Sequence, residues 1–218
     1  MSEEDLKQLV NRNLELANQD ISTEKGLEVA RSIAAIAEKE QIEWAIAGGL
    51  AMHLYGFVRA TRDVDFVAAR QLSLKINNQL SFGGARYLVE NGTAQTPVDW
   101  IVRRDKWQNF YEKALADAVQ LPNGLRVLTP EWLVILKYIA GRSKDELDIL
   151  YLLQQKGLVN RRELKKNLLK ATDALLADIM FRELERRYMV LADSAWANGD
   201  ENETYRPADF SDYPECND

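Results

Sequence analysis

Apolar residues recur along this chain at two periods, and the switch between them marks out its parts. Over residues 3–18, Leu6, Leu9, Val10, Leu14 and Ala17 fall on one helical stripe. Over 23–40 the spacing returns with Leu27, Ala30, Ile33, Ala34 and Ala37, behind Ser22 as an N-cap. The period then drops to two: Ile42, Trp44 and Ile46 predict a strand that stops at Gly48-Gly49. Leu50 to Tyr55 reads as a helix starting directly after the glycines, and Gly56 ends it.

Residues 63–67 predict a second strand, and 71–80 a short helix. Arg86 to Glu90 and Pro97 to Val102 are two further strands about the turn signal Asn91-Gly92. Trp107 to Val119 reads as an amphipathic helix, Pro122-Asn123-Gly124 as a turn, and Leu125 to Leu128 as a short strand. Thr129 and Pro130 suit the N-cap and first position of a helix. From there to Leu191 the pattern is helical, with breaks near Gly141 and Gly157, and with a capping box from Ser143 to Glu146. These readings predict an α+β chain: a small mixed sheet flanked by helices over 1–128, a helical C-terminal part over 129–192, and a tail over 193–218.

Charge separates the tail from the rest. The chain holds 28 Lys and Arg against 34 Asp and Glu, a formal net charge of −6. Eight of those acids and only Arg206 among the bases lie in 193–218, so the body is close to neutral. That balance argues against a uniformly basic nucleic-acid binder and marks the tail as acidic and flexible. With Cys216 as the one cysteine and His53 as the one histidine, an internal disulfide, a thiolate zinc site and a multi-histidine metal site are excluded. The N-terminus lacks the apolar core of a signal peptide and no apolar run is long enough to span a bilayer, so a cytoplasmic chain with no membrane partner is expected.

The candidate chemistry lies between Ala47 and Asp99. Asp63 and Asp65 stand two apart in a predicted strand and therefore project from one face. Two like charges held together need a counter-ion, and oxygen donors suit Mg²⁺. Asp99 interrupts the apolar strand Val98-Asp99-Trp100-Ile101-Val102, where an acid needs a partner or a metal. If the two strands are neighbours, the three carboxylates converge on a two-metal site able to hold a nucleophile and a triphosphate in line. Gly48-Gly49 between strand and helix lets backbone N–H groups approach an anion. Arg59, Thr61 and Arg62 flank that loop as candidate nucleotide contacts.

This combination of Gly-Gly, a helix, Asp-x-Asp in a strand thirteen residues beyond Gly49, and a later strand Asp resembles the DNA polymerase β-like nucleotidyltransferase superfamily. More narrowly it looks like the AbiEii/AbiGii-type branch, known as toxins of bacterial toxin–antitoxin and abortive-infection systems. The stretch from Lys137 through Arg142, Lys144, Asp145 and Asp148 is similar to that branch's helical Lys…Arg-x-Lys-Asp-x-x-Asp motif, and the resemblance covers roughly residues 25–155. It implies a nucleotidyltransferase fold and a two-ion Mg²⁺ site. It also implies transfer of a nucleoside monophosphate from ATP or another NTP to a tRNA 3′ end or a protein hydroxyl, with a cognate antitoxin as partner. Carried over by position, Gly48 and Gly49 hold the triphosphate, and Asp63, Asp65 and Asp99 are catalytic and bind metal. Lys137 and Lys144 contact nucleotide or acceptor, and Asp145 orients Lys144. Many superfamily members carry Gly-Ser where this chain has Gly48-Gly49, so Gly49 offers no hydroxyl to a phosphate. Two other readings stand beside this one: a small-molecule, antibiotic-type nucleotidyltransferase, and a non-catalytic member that binds nucleotide or a partner. For Lys137, Lys144, Asp145 and Asp148 the plainer reading is a salt-bridged helix face. For His53 it is a structural histidine with its hydrogen bonds met.

Overall fold

The structure, a computed structural model, describes residues 20–57, 59–91 and 94–197. The helix expected over 3–18, Gly92 of the expected turn, and the tail beyond residue 197 lie outside the described residues.

Helix α1 (Thr23–Lys39) begins where the Ser22 hydroxyl accepts from the Lys25 backbone N–H, and it buries Leu27, Val29, Ala30, Ile33, Ala34 and Ala37. Strand β1 (Trp44–Ile46) follows, then α2 (Gly48–Leu54) and β2 (Val64–Ala68). All three residues of β1 are buried, because both faces of the sheet are covered there and the expected alternation is lost. Residues 71–77 form no helix. The chain instead turns into the two-residue edge strand β3 (Asn78–Gln79), and Glu40 caps the preceding turn by accepting from the Ser73 N–H.

Strands β4 (Gly84–Asn91) and β5 (Ala94–Ile101) form the long hairpin, followed by α3 (Gln108–Ala116), β6 (Val119–Gln120) and β7 (Arg126–Val127). The sheet is seven-stranded, in the order β3-β4-β5-β2-β1-β7-β6. It is mixed: β2 runs parallel to β5 and β1 parallel to β7, and the other neighbours are antiparallel.

Registers then assign faces. Ile46, Phe66 and Trp100 are aligned across β1, β2 and β5, so Trp44, Phe66 and Trp100 share one face. Their rings pack in series, with centroids 5.8 Å and 5.3 Å apart. The opposite face carries Asp65 directly beside Asp99, and Arg86 directly beside Asp99. One buried aromatic face thus anchors the two strands whose other face carries the acids.

The helical part comprises α4 (Pro130–Ala140), α5 (Ser143–Gln154), α6 (Arg161–Ala171), α7 (Ala174–Leu184), a π-helical turn (Glu185–Met189) and α8 (Val190–Ala197). Thr129 caps α4 and Pro130 opens it; Gly141, in a left-handed conformation, ends it. The cap of α5 lies one residue earlier than the Ser143–Glu146 pattern suggests. Asp145 is the residue that reaches back, accepting from the Arg142 backbone N–H at 3.3 Å. Helix α8 continues past Asp193 to Ala197, and Asp193 pairs with Arg161 on α6.

Buried charge joins this part to the loop before β2. Asp148 on α5 is fully buried and accepts both prongs of the Arg59 guanidinium, at 2.7 and 2.8 Å, and Lys137 Nζ from α4 at 2.5 Å. Removing one member of such a cluster strands the others without a partner. Asp148→Ala is expected to lower the unfolding free energy by about 3–5 kcal/mol, read by urea denaturation.

Candidate active site

Four local features place the carboxylates. The Ala47 N–H donates to the Asp65 carbonyl at 2.8 Å, which continues the β1–β2 ladder and holds the Gly48 turn against Asp65. Gly48 has φ +57°, and a Cβ there would lie 1.7 Å from Asp65 Oδ2. A Cβ on Gly49 would lie 2.4 Å from Thr61 Oγ1. The glycines thus make room for Asp65 and Thr61. Buried Thr61 in turn donates to the Asp63 carbonyl at 3.2 Å and fixes the entry to β2. The first-turn N–H groups of α2 have no partner within that helix.

The parallel register β2–β5 brings Asp99 beside Asp65, and one carboxylate oxygen from each of Asp63, Asp65 and Asp99 lies within 4.8 Å of the others. Oxygens bound to one Mg²⁺ at 2.0–2.1 Å lie up to ~4 Å apart, so these hard donors fit such an ion after a small inward rotation. The three acids named from the sequence are therefore brought together.

Arg86 completes the cluster. Its Nε donates to Asp99 Oδ1 at 2.6 Å, and its Nη2 donates both to Asp99 Oδ2 at 2.7 Å and to Asp63 Oδ2 at 3.2 Å. Sequence reasoning missed this residue, although one signal was present: an acid inside an apolar strand needs a partner, and Arg86 lies on the adjoining strand. Among the described residues one guanidinium contacts the three carboxylates, so acids exceed contacting bases and a divalent cation would offset the excess. Asp65 carries the strain of that imbalance. Burial, then the charges of Asp63 and Asp99, raise its pKa from the ordinary 3.8 to about 6, against the opposing pull of Lys137 and Lys144.

The remaining candidates divide. Lys144 is exposed at the start of α5 and contributes positive potential at Asp65. Lys137 is buried against Asp148, with Asp145 Oδ1 at 3.7 Å. Asp145 takes the Arg142 guanidinium at 2.6 and 3.1 Å. Arg59 is held by Asp148, and Arg62 is exposed near Asp20 at 3.7 Å. His53 is buried away from the acids; its Nε2 donates to the Arg59 carbonyl at 2.7 Å and its Nδ1 accepts from Thr23 at 3.0 Å. It thereby pins the loop that leads to Asp63.

No protein-family model matches the chain, and no curated protein matches it in sequence. Seven solved chains overlap it, two of them as follows. One is an antigenic nucleotidyltransferase-like protein from Paracoccidioides brasiliensis, at 16% identity and TM-score 0.48 over 80% of this chain and 94% of that one. The other is the antibiotic-resistance factor ANT(2'')-Ia, at 14% identity and TM-score 0.35 over 77% of this chain and 95% of that one. At this depth of overlap the chemistry rests on the carboxylates themselves.

The raised pKa of Asp65 sets a sign for pH. Folded Asp65 holds its proton more tightly than unfolded Asp65, so stability from this group is present below its ordinary pKa of 3.8 and is lost as pH rises through about 6. Without divalent cations, D65N and the wild type are expected to unfold at similar temperatures near pH 4. Above about pH 7 the variant is expected to be the more stable, as thermal unfolding monitored by circular dichroism would show.

Proposed function

We propose that the protein is a Mg²⁺-dependent nucleotidyltransferase that moves a nucleoside monophosphate from an NTP to a macromolecular hydroxyl. The observation that carries this reading is the convergence of Asp63, Asp65 and Asp99, which among the described residues have a single ion-pair partner, Arg86, for three acids. A plain structural cluster would carry its full complement of basic partners, as the buried Asp145 and Asp148 do with Arg59, Lys137 and Arg142.

In this reading the acceptor hydroxyl gives its proton to a carboxylate of the cluster, a bond forms between its oxygen and the α-phosphorus, the bond from that phosphorus to the bridging oxygen breaks, and pyrophosphate leaves. Bound among the three carboxylates, Mg²⁺ supplies charge neutralisation for the triphosphate and for the attacking oxygen. The chain's own part is positioning. Asp63 presents its oxygens from the residue just before β2, Asp65 from β2 itself, and Asp99 from the neighbouring strand β5. Gly48 and Gly49 keep the adjoining turn free of side chains, leaving first-turn N–H groups to face the triphosphate. Lys144 adds positive potential at the edge of the cluster, where the leaving phosphates need it. Thr61 and Arg62 border the same loop. Arg59, Lys137 and Asp145 act in this reading by holding the loop and the start of α5 in place.

Among acceptors we favour a tRNA 3′ end or a protein hydroxyl, on the strength of the motif similarity to the AbiEii/AbiGii-type branch. A toxin role restrained by an antitoxin follows from that same similarity.

The test is label transfer. Purified protein, each α-labelled NTP in turn, Mg²⁺ and a cell extract are expected to yield labelled RNA or labelled protein. D63N/D65N is expected to lower that labelling by at least about a hundred-fold while remaining folded. Labelling unchanged in the variant, or absent with every NTP and every acceptor class including aminoglycosides, would overturn the proposal.

A further inference from the structure

Arg86 is the one residue of the cluster for which the proposed reaction has no use, yet it makes the closest contacts there. Its Nη2 lies within hydrogen-bond distance of two different carboxylates, Asp99 Oδ2 at 2.7 Å and Asp63 Oδ2 at 3.2 Å. A donor nitrogen shared between two carboxylates stands where a cation bridging them would stand. Asp99 holds the guanidinium by two prongs, at 2.6 and 2.7 Å, whereas the Asp63 contact is single and longer at 3.2 Å, so the Asp63 contact is the one that yields first to a competing cation. The side chain is about one-third exposed, which leaves it room to move.

We propose that Arg86 is a built-in counter-cation that competes with a divalent ion for Asp63 and Asp99. The inference rests on the metal-dependent reading of the site and concerns its regulation. Without nucleotide, the guanidinium partly neutralises the cluster and weakens binding of a free divalent ion. Loading then depends on an ion that arrives with a triphosphate, whose own negative charge offsets the repulsion between Arg86 and the metal. The guanidinium that leaves Asp63 becomes a donor for an anionic oxygen. Charge sets the direction of the effect: two cations within a few ångströms of one another repel in a partly desolvated site.

Direct titration of Mn²⁺ into nucleotide-free protein tests this, by isothermal calorimetry and by the electron paramagnetic resonance signal of free Mn²⁺. R86Q is expected to bind Mn²⁺ at least about ten-fold more tightly than the wild type, equivalent to ~1.4 kcal/mol. Its thermal midpoint is expected to be lower than the wild type's without metal and to rise more on adding Mn²⁺. If R86Q does not fold, R86M carries the same test, since it removes the charge while keeping an unbranched stem; tighter Mn²⁺ binding than wild type supports the proposal. Equal or weaker binding in the folded variant overturns it while leaving the metal site intact. No Mn²⁺ binding to wild type or variant, with or without nucleotide, overturns the metal-dependent reading along with it.

Discussion

Like-charge repulsion among Asp63, Asp65 and Asp99 is the constraint around which the rest of this molecule is arranged. Two unit charges ~4 Å apart interact by ~4 kcal/mol at an effective dielectric of ~20, so three acids with oxygens within 4.8 Å of one another are tolerated only if something holds them. The covalent part of that hold is short: Asp63 immediately precedes β2 and Asp65 lies within it. The rest comes from the sheet, where the parallel β2–β5 register sets Asp99 beside Asp65. The aromatic series Trp44, Phe66 and Trp100 keeps those strands together from the other face. Burial of large aromatic side chains therefore sets against repulsion on the opposite side of the same backbone.

A second buried charge cluster shows what a compensated arrangement looks like in this fold. Asp148 and Asp145 are both fully buried, and each takes more than one basic partner from α4, α5 or the loop before β2. The contrast with the site is chemical. There the acids exceed the bases, the cluster is partly open to solvent, and Asp65 takes up a proton in preference to staying charged as pH falls toward 6. Arg59 connects the two clusters: Asp148 holds its side chain, and its carbonyl takes the His53 Nε2 donor. The loop that delivers Asp63 is thus tied to α2 on one side and to α5 on the other.

Much of this was legible in the order of residues. Ser22, Thr129 and Pro130 mark helix starts by local chemistry, and local chemistry survives folding. Asp63 and Asp65 are readable from their spacing of two, although the strand expected over 63–67 begins at Val64 and leaves Asp63 just before it, and Asp99 is readable because an acid within an apolar strand is costly. Partners remote in sequence were not legible. Arg86 is thirteen positions from Asp99 and meets it only through the register of the β4–β5 hairpin. Asp148 meets Arg59 across eighty-nine positions, and no periodicity encodes that contact. The motif around Lys137 and Asp145 suggested ligand contacts, whereas their side chains are largely spent on one another and on Arg142 and Asp148. Residues 71–77 carry enough apolar spacing for a helix, but Glu40 and the sheet edge draw them into a turn and a short strand.

In the function proposed above, these three carboxylates are a divalent-cation site in a nucleotidyl-transfer centre. Anomalous diffraction at the manganese edge, from crystals grown with Mn²⁺ and a non-hydrolysable NTP analogue, tests it most directly. Anomalous peaks are expected among the oxygens of Asp63, Asp65 and Asp99, with the analogue's triphosphate reaching them past Gly48 and Gly49. An empty carboxylate cluster, with Arg86 still bridging Asp63 and Asp99 and the analogue bound elsewhere, would contradict it.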